Sequence, residues 1–476
     1  MTADSVTVGI DIGTTAVKAV AVDDSGQVLA RSRIPHRLVS PAPDLLEHDA
    51  GRAWRRGPLQ ALAAVRAPGD PLAGVCVCSM VPSLTAVDRR GRPQTPGLLY
   101  GDGRGRRERS ADTGAGEPGS LSQSDVLPDS EGFLRWAAAE VPGAHGYWPA
   151  QAVANFALSG VAAIDSGVAM MSNSLLSAGQ WDVAKLAEIG VNAAQMPLIV
   201  NMGARAGTVT GTDAALAGGT VDAMCDQIVS GAEESGDVLV ICGATLIVWA
   251  VVDDWIDVPG LWTVPHTVSG KVLVGGPSNA GALFVDWARS LLHGSRRPPL
   301  ARRAPRPDAV GGDDPGQAPR RGDPDRVPVW TPYLRGERVP YNDTTLRSVL
   351  QGLDITHDAD ALERAAFEST GFVVRHMLDL GQIKARRIVA SGGGTRVTPW
   401  MQAMADASGL PVDVVAVHEG AAFGAAFLAR LAAGLETSFD GAGRWARVGY
   451  RVEPDATWQE AADKRYTRFR GLGPTR

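Results

Sequence analysis

Val6-Thr-Val-Gly-Ile-Asp-Ile-Gly-Thr-Thr-Ala-Val-Lys-Ala-Val-Ala-Val-Asp-Asp-Ser-Gly-Gln-Val-Leu-Ala30 is the stretch that decides the fold. Two β-branched runs, 6–12 and 17–22, flank a tight Gly-Thr-Thr turn, and a second turn at 23–26 leads into a third run at 27–30. Apolar β-branched runs bounded by turn residues predict strands. The stretch therefore predicts a meander of three short strands.

The first turn carries groups suited to a metal-bound phosphate. Asp11 ends a strand predicted to be buried, and a carboxylate there can hold a hydrated Mg²⁺, which keeps its waters and takes few protein oxygens. Gly13 lets backbone N–H groups approach a phosphate, and the hydroxyls of Thr14 and Thr15 add donors. An ordinary hairpin is the alternative, because Gly and Thr are also common in turns.

A second apolar hairpin, Asp237–Val252, repeats the order strand, Gly-x-Thr turn, strand. Two related hairpins about 230 residues apart suggest an internal duplication with one hairpin per domain. Further along, a predicted strand at 387–390 runs into Ser391-Gly-Gly-Gly-Thr395 ahead of a predicted helix at 399–407. Such glycines let a base or phosphate lie on the backbone, although a flexible turn has the same composition.

Two further loops carry charged candidates. Asp222 follows two glycines and opens a predicted helix, where a negative charge is favoured; a plain helix cap is the alternative. Asp102 and Arg104 follow a predicted strand at 98–100. They form either a hydroxyl-binding pair or a solvated pair in a loop.

Size and composition narrow the class of protein. A chain of 476 residues with 45% apolar residues predicts two or three domains with sizeable cores. The net charge of −6 offers no basic face to nucleic acid. No signal peptide is predicted, and the longest apolar run, 238–252, is too short to span a bilayer. Four cysteines without a C-x-x-C pair fit a reducing cytoplasm.

Two segments lack a folding pattern. Residues 294–326 are rich in Arg, Pro, Gly and Asp and cannot build a core, which predicts an exposed, disordered insertion. Its arginines could contact an acidic partner, although a solvated loop is favoured. Residues 435–476 are predicted to be a weakly patterned C-terminal tail.

Eight short motifs, in their order along the chain, resemble the FGGY carbohydrate kinase family and most of all its xylulokinase branch. The order carries the resemblance, which runs from Val6 to about Ala432 outside the insertion. The motifs are Ile10-Asp-Ile-Gly-Thr-Thr-Ala-Val-Lys18, Glu47-His-Asp49 with Trp54, Tyr100-Gly-Asp-Gly-Arg104, Gly219-Thr-Val-Asp222, Gly243-Ala-Thr245, Gly336-Glu-Arg-Val-Pro340, Gly392-Gly-Gly394 and Glu419-Gly-Ala-Ala-Phe-Gly-Ala-Ala426.

The resemblance implies an α/β fold of two actin-like (ribonuclease H-like) domains with ATP in a cleft between them. It implies a sugar-binding N-terminal domain at 1–232 and an ATP-binding C-terminal domain at 233–434, which contains the insertion and precedes the tail. Asp222 is implied as the general base and Asp11 as the Mg²⁺ ligand. The implied ATP-binding residues are Thr14, Thr15, Lys18, Gly243, Thr245, Gly392, Gly393 and Gly394, and the implied substrate-binding residues are Val81, Pro82, Asp102, Arg104 and Asp222.

The chain departs from the family pattern at two places. Val81-Pro82 stands where the family has Met-His, which removes an imidazole from the expected sugar contact. The segment 211–221 is several residues short, and Val221 replaces a glycine. Because Asp226 lies one helical turn after Asp222, either aspartate is a candidate for the base.

These observations predict an ATP-dependent kinase of a small sugar, with a ketopentose such as xylulose as the first candidate. Another polyol or a cyclitol is an alternative, as is a protein that keeps the fold but has lost turnover and serves in binding or regulation. The absence of G-x-x-x-x-G-K-S/T disfavours a P-loop kinase. Neither a nucleic acid nor a membrane is a predicted partner, and a homodimer is left open.

Overall fold

The computed structural model describes residues 5–42, 45–66, 71–100, 102–104, 130–293, 322–343 and 345–474. The chain forms two compact units: the first contains residues 1–229 and 419–445, and the second contains 230–418 and 446–476. Most of the predicted insertion, from residue 294 to residue 321, lies outside the described residues. Both units mix helices and strands, which confirms the predicted α/β class.

The main sheet of the first unit has seven strands: β1 (Val6–Ile12), β2 (Ala16–Val22), β3 (Val28–Pro35), β6 (Leu72–Ser79), β14 (Arg205–Thr208), β15 (Ala215–Ala217) and β16 (Thr220–Val221). Their order is β14-β15-β6-β1-β2-β3, and β16 also pairs with β6. The first three strands form the predicted antiparallel meander. Strand β6 runs parallel to β1 and β15, so the ends of these strands meet at one edge.

Smaller sheets and helices complete the first unit. A five-stranded sheet has the order β4 (Leu38–Val39), β5 (Glu47–His48), β8 (Gly97–Leu99), β7 (Ser83–Val87), β9 (Gly146–Trp148). Two pairs are β10 (Ala163–Asp165) with β13 (Leu198–Val200) and β11 (Leu176–Ser177) with β12 (Gln180–Trp181). A π-helix, Gly51–Arg56, precedes α1 (Gly57–Val65), and the later helices are α2 (Ser130–Glu140), α3 (Ala150–Ser159), α4 (Ser166–Met170), α5 (Val183–Glu188) and α6 (Asp222–Ile228).

One helix from late in the chain, α10 (Gly420–Ala432), also belongs to the first unit, where it packs against β1, β6 and α6. Small residues allow this close approach. A Cβ atom at Gly9 would collide with the backbone of Ala422, and one at Gly424 would collide with the backbone of Cys225. The domain boundaries predicted at 232 and 434 divide the chain into consecutive segments. The packing differs from this division, because residues 419–445 belong to the first unit.

The second unit repeats the arrangement of the first. Its main sheet contains β17 (Asp237–Cys242), β18 (Leu246–Val252), β19 (Trp262–Pro265), β20 (Val272–Ser278), β23 (Arg387–Ser391), β24 (Val412–Val415) and β25 (Val448–Val452), in the order β19-β20-β18-β17-β23-β24-β25. Strands β17, β18 and β20 form an antiparallel meander, and β23 and β24 follow in parallel. The same order of β1, β2, β3, β6 and β15 in the first unit supports the inferred duplication.

Helices and a small sheet cover the second sheet. They are α7 (Ala282–His293), α8 (Ala359–Leu380), α9 (Thr398–Ser408), α11 (Ala456–Gly471) and the pair β21 (Val329–Trp330) with β22 (Leu350–Gln351). The segment for which the sequence predicts only a tail is ordered: a 3₁₀-helix at Phe439–Trp445 lies in the first unit, and β25 and α11 lie in the second.

The four cysteines, Cys76, Cys78, Cys225 and Cys242, are buried free thiols. Among the helices of the described ranges, none has both the length and the apolar character to cross a membrane.

Candidate active site

Two of the predicted site aspartates lie on either side of one buried thiol in the first unit. Asp11 of β1 and Thr220 of β16 are both paired in register with Cys78 of β6, and Asp222 follows β16 directly. Burial raises the pKa of the Cys78 thiol, and Cys225, Asp11 and Asp222 raise it further. The parallel strand ends therefore bring the predicted metal ligand and the predicted base to one edge of the sheet.

Lys18 joins Asp11 at this edge. Asp11 is 5% exposed, and its Oδ2 lies 3.1 Å from Nζ of Lys18 on the neighbouring strand. The charge of Asp11 raises the pKa of the Lys18 amine more than burial lowers it, with smaller contributions from Asp226 and Glu419. The predicted phosphate ligand Lys18 is thus held as a cation beside a carboxylate.

The geometry around Asp11 fits a hydrated divalent cation. The contact of Asp11 with Lys18 uses Oδ2. Within the described part of the chain, Oδ1 of Asp11 accepts no hydrogen bond. A Cβ atom at Gly13 would lie 3.6 and 3.8 Å from the two carboxylate oxygens. The glycine therefore keeps space open beside Asp11, and hard carboxylate oxygen is the ligand type that Mg²⁺ prefers.

The Gly-Thr-Thr turn is held by a histidine without an assigned role in the sequence. Oγ1 of Thr14 lies 3.2 Å from the hydroxyl of Tyr100, and the Thr14 carbonyl lies 2.8 Å from Nε2 of His48. Nδ1 of His48 accepts a hydrogen bond from Trp54, so Nε2 carries the proton and donates to Thr14. Burial, with a smaller contribution from His36, lowers the pKa of His48 to about 4. His48 is therefore a neutral support for the turn; its only sequence signal is the Glu47-His-Asp49 motif.

Asp222 and Asp226 differ in exposure. Asp222 is the first residue of α6 and half-buried, and its Oδ1 accepts a hydrogen bond from the N–H of Ala223 at 2.7 Å. Asp226 is 5% exposed and acts electrostatically on Lys18. Asp222 is thus the more accessible carboxylate at this edge, and the charge of Asp226 acts on Lys18.

Asp102 and Arg104 are bound to each other. The buried carboxylate of Asp102 accepts hydrogen bonds from the N–H of Leu46 at 2.7 Å and from the Arg104 side chain at 2.7 and 2.9 Å. Arg104 also donates to Glu47 at 2.9 Å. Burial lowers the pKa of the Arg104 guanidinium, but its bonds to Asp102 and Glu47 outweigh this effect and leave it raised. Both oxygens of Asp102 are therefore used within the protein.

Val81 and Pro82, the other predicted substrate contacts, lie in the turn between β6 and β7 and are half-buried. They line a cavity of the first unit.

The second unit brings the remaining predicted residues together. Strands β17 and β23 run parallel with Ile241 opposite Ser391. The turn Gly243–Thr245 and the glycines Gly392–Gly394 therefore leave the sheet side by side. Gly392 has φ +91°, and a Cβ atom there would lie 2.9 Å from the carbonyl oxygen of Cys242. At Gly393 a Cβ atom would have no neighbour within 4 Å, so this backbone is open to a ligand.

The turn Gly243–Thr245 is held by the start of α7. The N–H groups of Ala282 and Leu283 donate to the carbonyls of Gly243 and Ala244 at 2.9 and 3.1 Å. N–H groups at the start of a helix have no hydrogen-bond acceptor within the helix, and here the carbonyls of the turn serve as acceptors. The helix start and the turn therefore form one structural element.

Glu337 fixes the segment that leads into α7, a role that sequence reasoning did not assign. Its carboxylate accepts hydrogen bonds from Oγ of Ser278 at 2.7 Å and from the N–H groups of Asn279 and Arg338 at 2.8 and 2.6 Å. Burial raises the pKa of Glu337 to about 7, against these bonds. The Gly336–Pro340 motif was the available sequence signal.

The chain is similar to known proteins over most of its length. The model of the FGGY family of carbohydrate kinases matches in its N-terminal domain at residues 6–232 and in its C-terminal domain at residues 238–433. A xylulose kinase of Klebsiella pneumoniae is 26% identical over 459 residues, covering 89% of each chain. A glycerol kinase of Alkalilimnicola ehrlichii is 27% identical over 497 residues, covering 95% of this chain and 96% of the relative.

The crystal structure of a xyloylose kinase from Brucella ovis has a TM-score of 0.76 at 23% identity and covers 98% of both chains. This likeness confirms the predicted fold of two actin-like α/β domains.

Proposed function

Because the chain belongs to the FGGY family of carbohydrate kinases, we propose that it transfers the γ-phosphoryl group of ATP to a hydroxyl of a small sugar, with a ketopentose such as xylulose as the first candidate. The observation that carries the proposal is the placement of Asp11 and Asp222 on either side of Cys78 at one sheet edge. Phosphoryl transfer needs charge neutralisation and a positioned acceptor more than it needs covalent chemistry.

Asp222 is the proposed general base. Its carboxylate accepts the proton of the acceptor hydroxyl while that oxygen forms a bond to the γ-phosphorus of ATP. The bond between the γ-phosphorus and the bridging oxygen breaks, and ADP leaves with the electron pair. Half-exposure of Asp222 supports this assignment over Asp226, which is buried.

Nucleotide-binding residues are proposed in each of the two units. In the first, Lys18 and the hydroxyls of Thr14 and Thr15 are proposed to bind phosphate oxygens, with Asp11 holding Mg²⁺ through its waters. Bound Mg²⁺ neutralises negative charge on the phosphates. In the second, the Gly243–Thr245 turn is proposed to bind phosphate and Gly392–Gly394 to flank the nucleoside.

We propose that the pair Asp102 and Arg104 contributes to substrate binding through the guanidinium group of Arg104. The carboxylate of Asp102 is saturated by Leu46 and Arg104, so its part is to orient the guanidinium.

We also place the enzyme in the cytoplasm, where free thiols such as its four buried cysteines stay reduced. Assembly as a homodimer stays a prediction.

An ADP-coupled assay tests the proposal. The purified protein is supplied with MgATP and a panel of ketopentoses, other sugars, polyols and cyclitols, and ADP release is compared with that of the Asp222→Asn variant. We expect sugar-dependent ADP release that the variant loses. If no compound raises ADP release above the basal rate, the protein has the fold without the activity and the proposal fails.

A further inference from the structure

A cavity in the first unit lies beside the predicted catalytic edge and has an apolar lining. Its volume is about 30 Å³. Its walls come from the turn after β6, from β7, and from α2 and the segments around β12 and β13; they include Val81, Pro82, Leu84, Leu134, Trp181 and Met196. The position at which the family has a sugar-binding Met-His is therefore part of an apolar wall.

Four polar side chains line this wall: Ser83, Ser130 and Trp181, which have partners within the protein, and Ser172. Oγ of Ser83 accepts a hydrogen bond from the N–H of Ala150 at 3.1 Å, and Oγ of Ser130 donates to the carbonyl of Met171 at 3.1 Å. Nε1 of Trp181 donates to the carbonyl of Pro197 at 2.7 Å. A sugar hydroxyl placed against the apolar side chains of this wall would lose water without gaining a hydrogen-bond partner, which is unfavourable.

The turn that forms one wall of the cavity begins close to Asp222. Val221 of β16 pairs with Ser79 of β6, so Asp222 and the Val81-Pro82 turn leave adjacent strand ends. The side-chain amide of Gln151 donates to the carbonyls of Ser79 and Thr220 at 3.1 and 3.0 Å and ties these two ends together. Neighbouring strands lie about 4.8 Å apart. One small molecule can therefore reach both the carboxylate and the apolar wall.

We propose that the acceptor of this kinase carries a carbon without a hydroxyl group, such as the methyl group of a deoxy sugar, and that this group occupies the cavity while the reacting hydroxyl faces Asp222. The inference rests on the proposed function and narrows its substrate class. Burial of an alkyl group in such a lining is favourable, whereas a hydroxyl in the same place stays unpaired.

Matched pairs of substrates test the inference. Ketoses that carry –CH3 in place of a terminal –CH2OH, at either end of the chain, are compared with their hydroxylated parents by kcat/KM in the ADP-coupled assay. We expect the better methyl compound to exceed its parent by about 10- to 100-fold, the range that an apolar pocket provides for one such group. Equal or higher kcat/KM for every hydroxylated parent overturns the inference while leaving the kinase activity established.

Variants of Met196 test whether the cavity is responsible. Met196→Gln introduces an amide of similar length into the wall and should reduce the preference for the methyl compound by at least about tenfold. Met196→Leu should keep that preference. Leu198→Gln makes a similar change at a side chain that is 53% exposed and should alter neither the preference nor the rate. An unchanged preference in a folded Met196→Gln variant refutes the cavity assignment, and no turnover of any compound refutes the proposed function and this inference with it.

Discussion

The pH dependence of stability should depend on Glu337, the buried carboxyl group that holds the start of α7. Burial raises its pKa from 4.5 to about 7. Between these two values the folded protein keeps this proton and the unfolded chain has lost it, so stability falls as pH rises. A difference of about 2.5 pKa units corresponds to about 3 kcal/mol lost between pH 4.5 and pH 8.

Glu337→Gln removes this titration while keeping the shape of the side chain. Between pH 4.5 and pH 8 the native protein should lose about 3 kcal/mol of unfolding free energy through this group, and the variant should not. The difference in Tm between the two proteins should therefore change by about 6–12 °C over this pH range. Differential scanning calorimetry of both proteins at steps of half a pH unit measures that difference. Other titrating groups cancel in the comparison because they are common to both proteins.

Glu453→Gln is the matched control, because it makes the same change at an exposed side chain of the second unit. It should change stability by less than about 0.5 kcal/mol at any pH. A difference between native protein and Glu337→Gln that stays constant from pH 4.5 to pH 8 would show that Glu337 does not hold a proton at neutral pH. The reasoning from burial would then be wrong.

Four further predictions concern the proposed site and the packing beneath it. Asp222→Asn should lower kcat by about 10²–10⁴-fold with the KM for ATP within a few-fold, whereas Asp226→Asn should cost less than about tenfold; the reverse result in steady-state kinetics would make Asp226 the base. Gly13→Ala should raise the KM for MgATP roughly tenfold or more, with little change in Tm, because its Cβ atom would fill the space beside Asp11. Replacing Asp11 and Lys18 together by isoleucine should abolish turnover and leave the urea midpoint equal or higher. Gly424→Ala should lower the free energy of unfolding by about 1–3 kcal/mol, as measured by urea titration, and an unaltered midpoint would contradict the close packing of α10.

Local patterns in the sequence predict the strands and helices better than they predict packing partners. The hairpins at 6–22 and 237–252 are found at nearly the predicted residues because β-branched runs and turn residues act locally. Helix α10 is also found, but its position on β1 depends on a contact between Gly9 and Ala422 that periodicity does not encode. The final helix, α11, is rich in charged residues and has a weak amphipathic pattern, so the sequence predicts only a tail there.

The same limit applies to the candidate site. Asp11 and Asp222 are found at the ends of the two strands that flank β6, β1 and β16, because the motifs mark where these strands end. His48 and Glu337 were not assigned roles, since their importance lies in buried hydrogen bonds to Thr14 and Ser278 that form only in the folded chain. The sequence does not indicate which hydrogen-bond partner a histidine or glutamate has in the folded protein.

The duplicated hairpins differ at the position of the proposed metal ligand. In the first hairpin Asp11 pairs with Lys18, and at the corresponding positions of the second hairpin Ile241 pairs with Ile247. The second hairpin shows that this architecture forms with an apolar pair. A carboxylate that is 5% exposed has a desolvation cost that an apolar pair avoids. We therefore propose that the charges of Asp11 and Lys18, which the fold does not need, serve a charged ligand in the first unit.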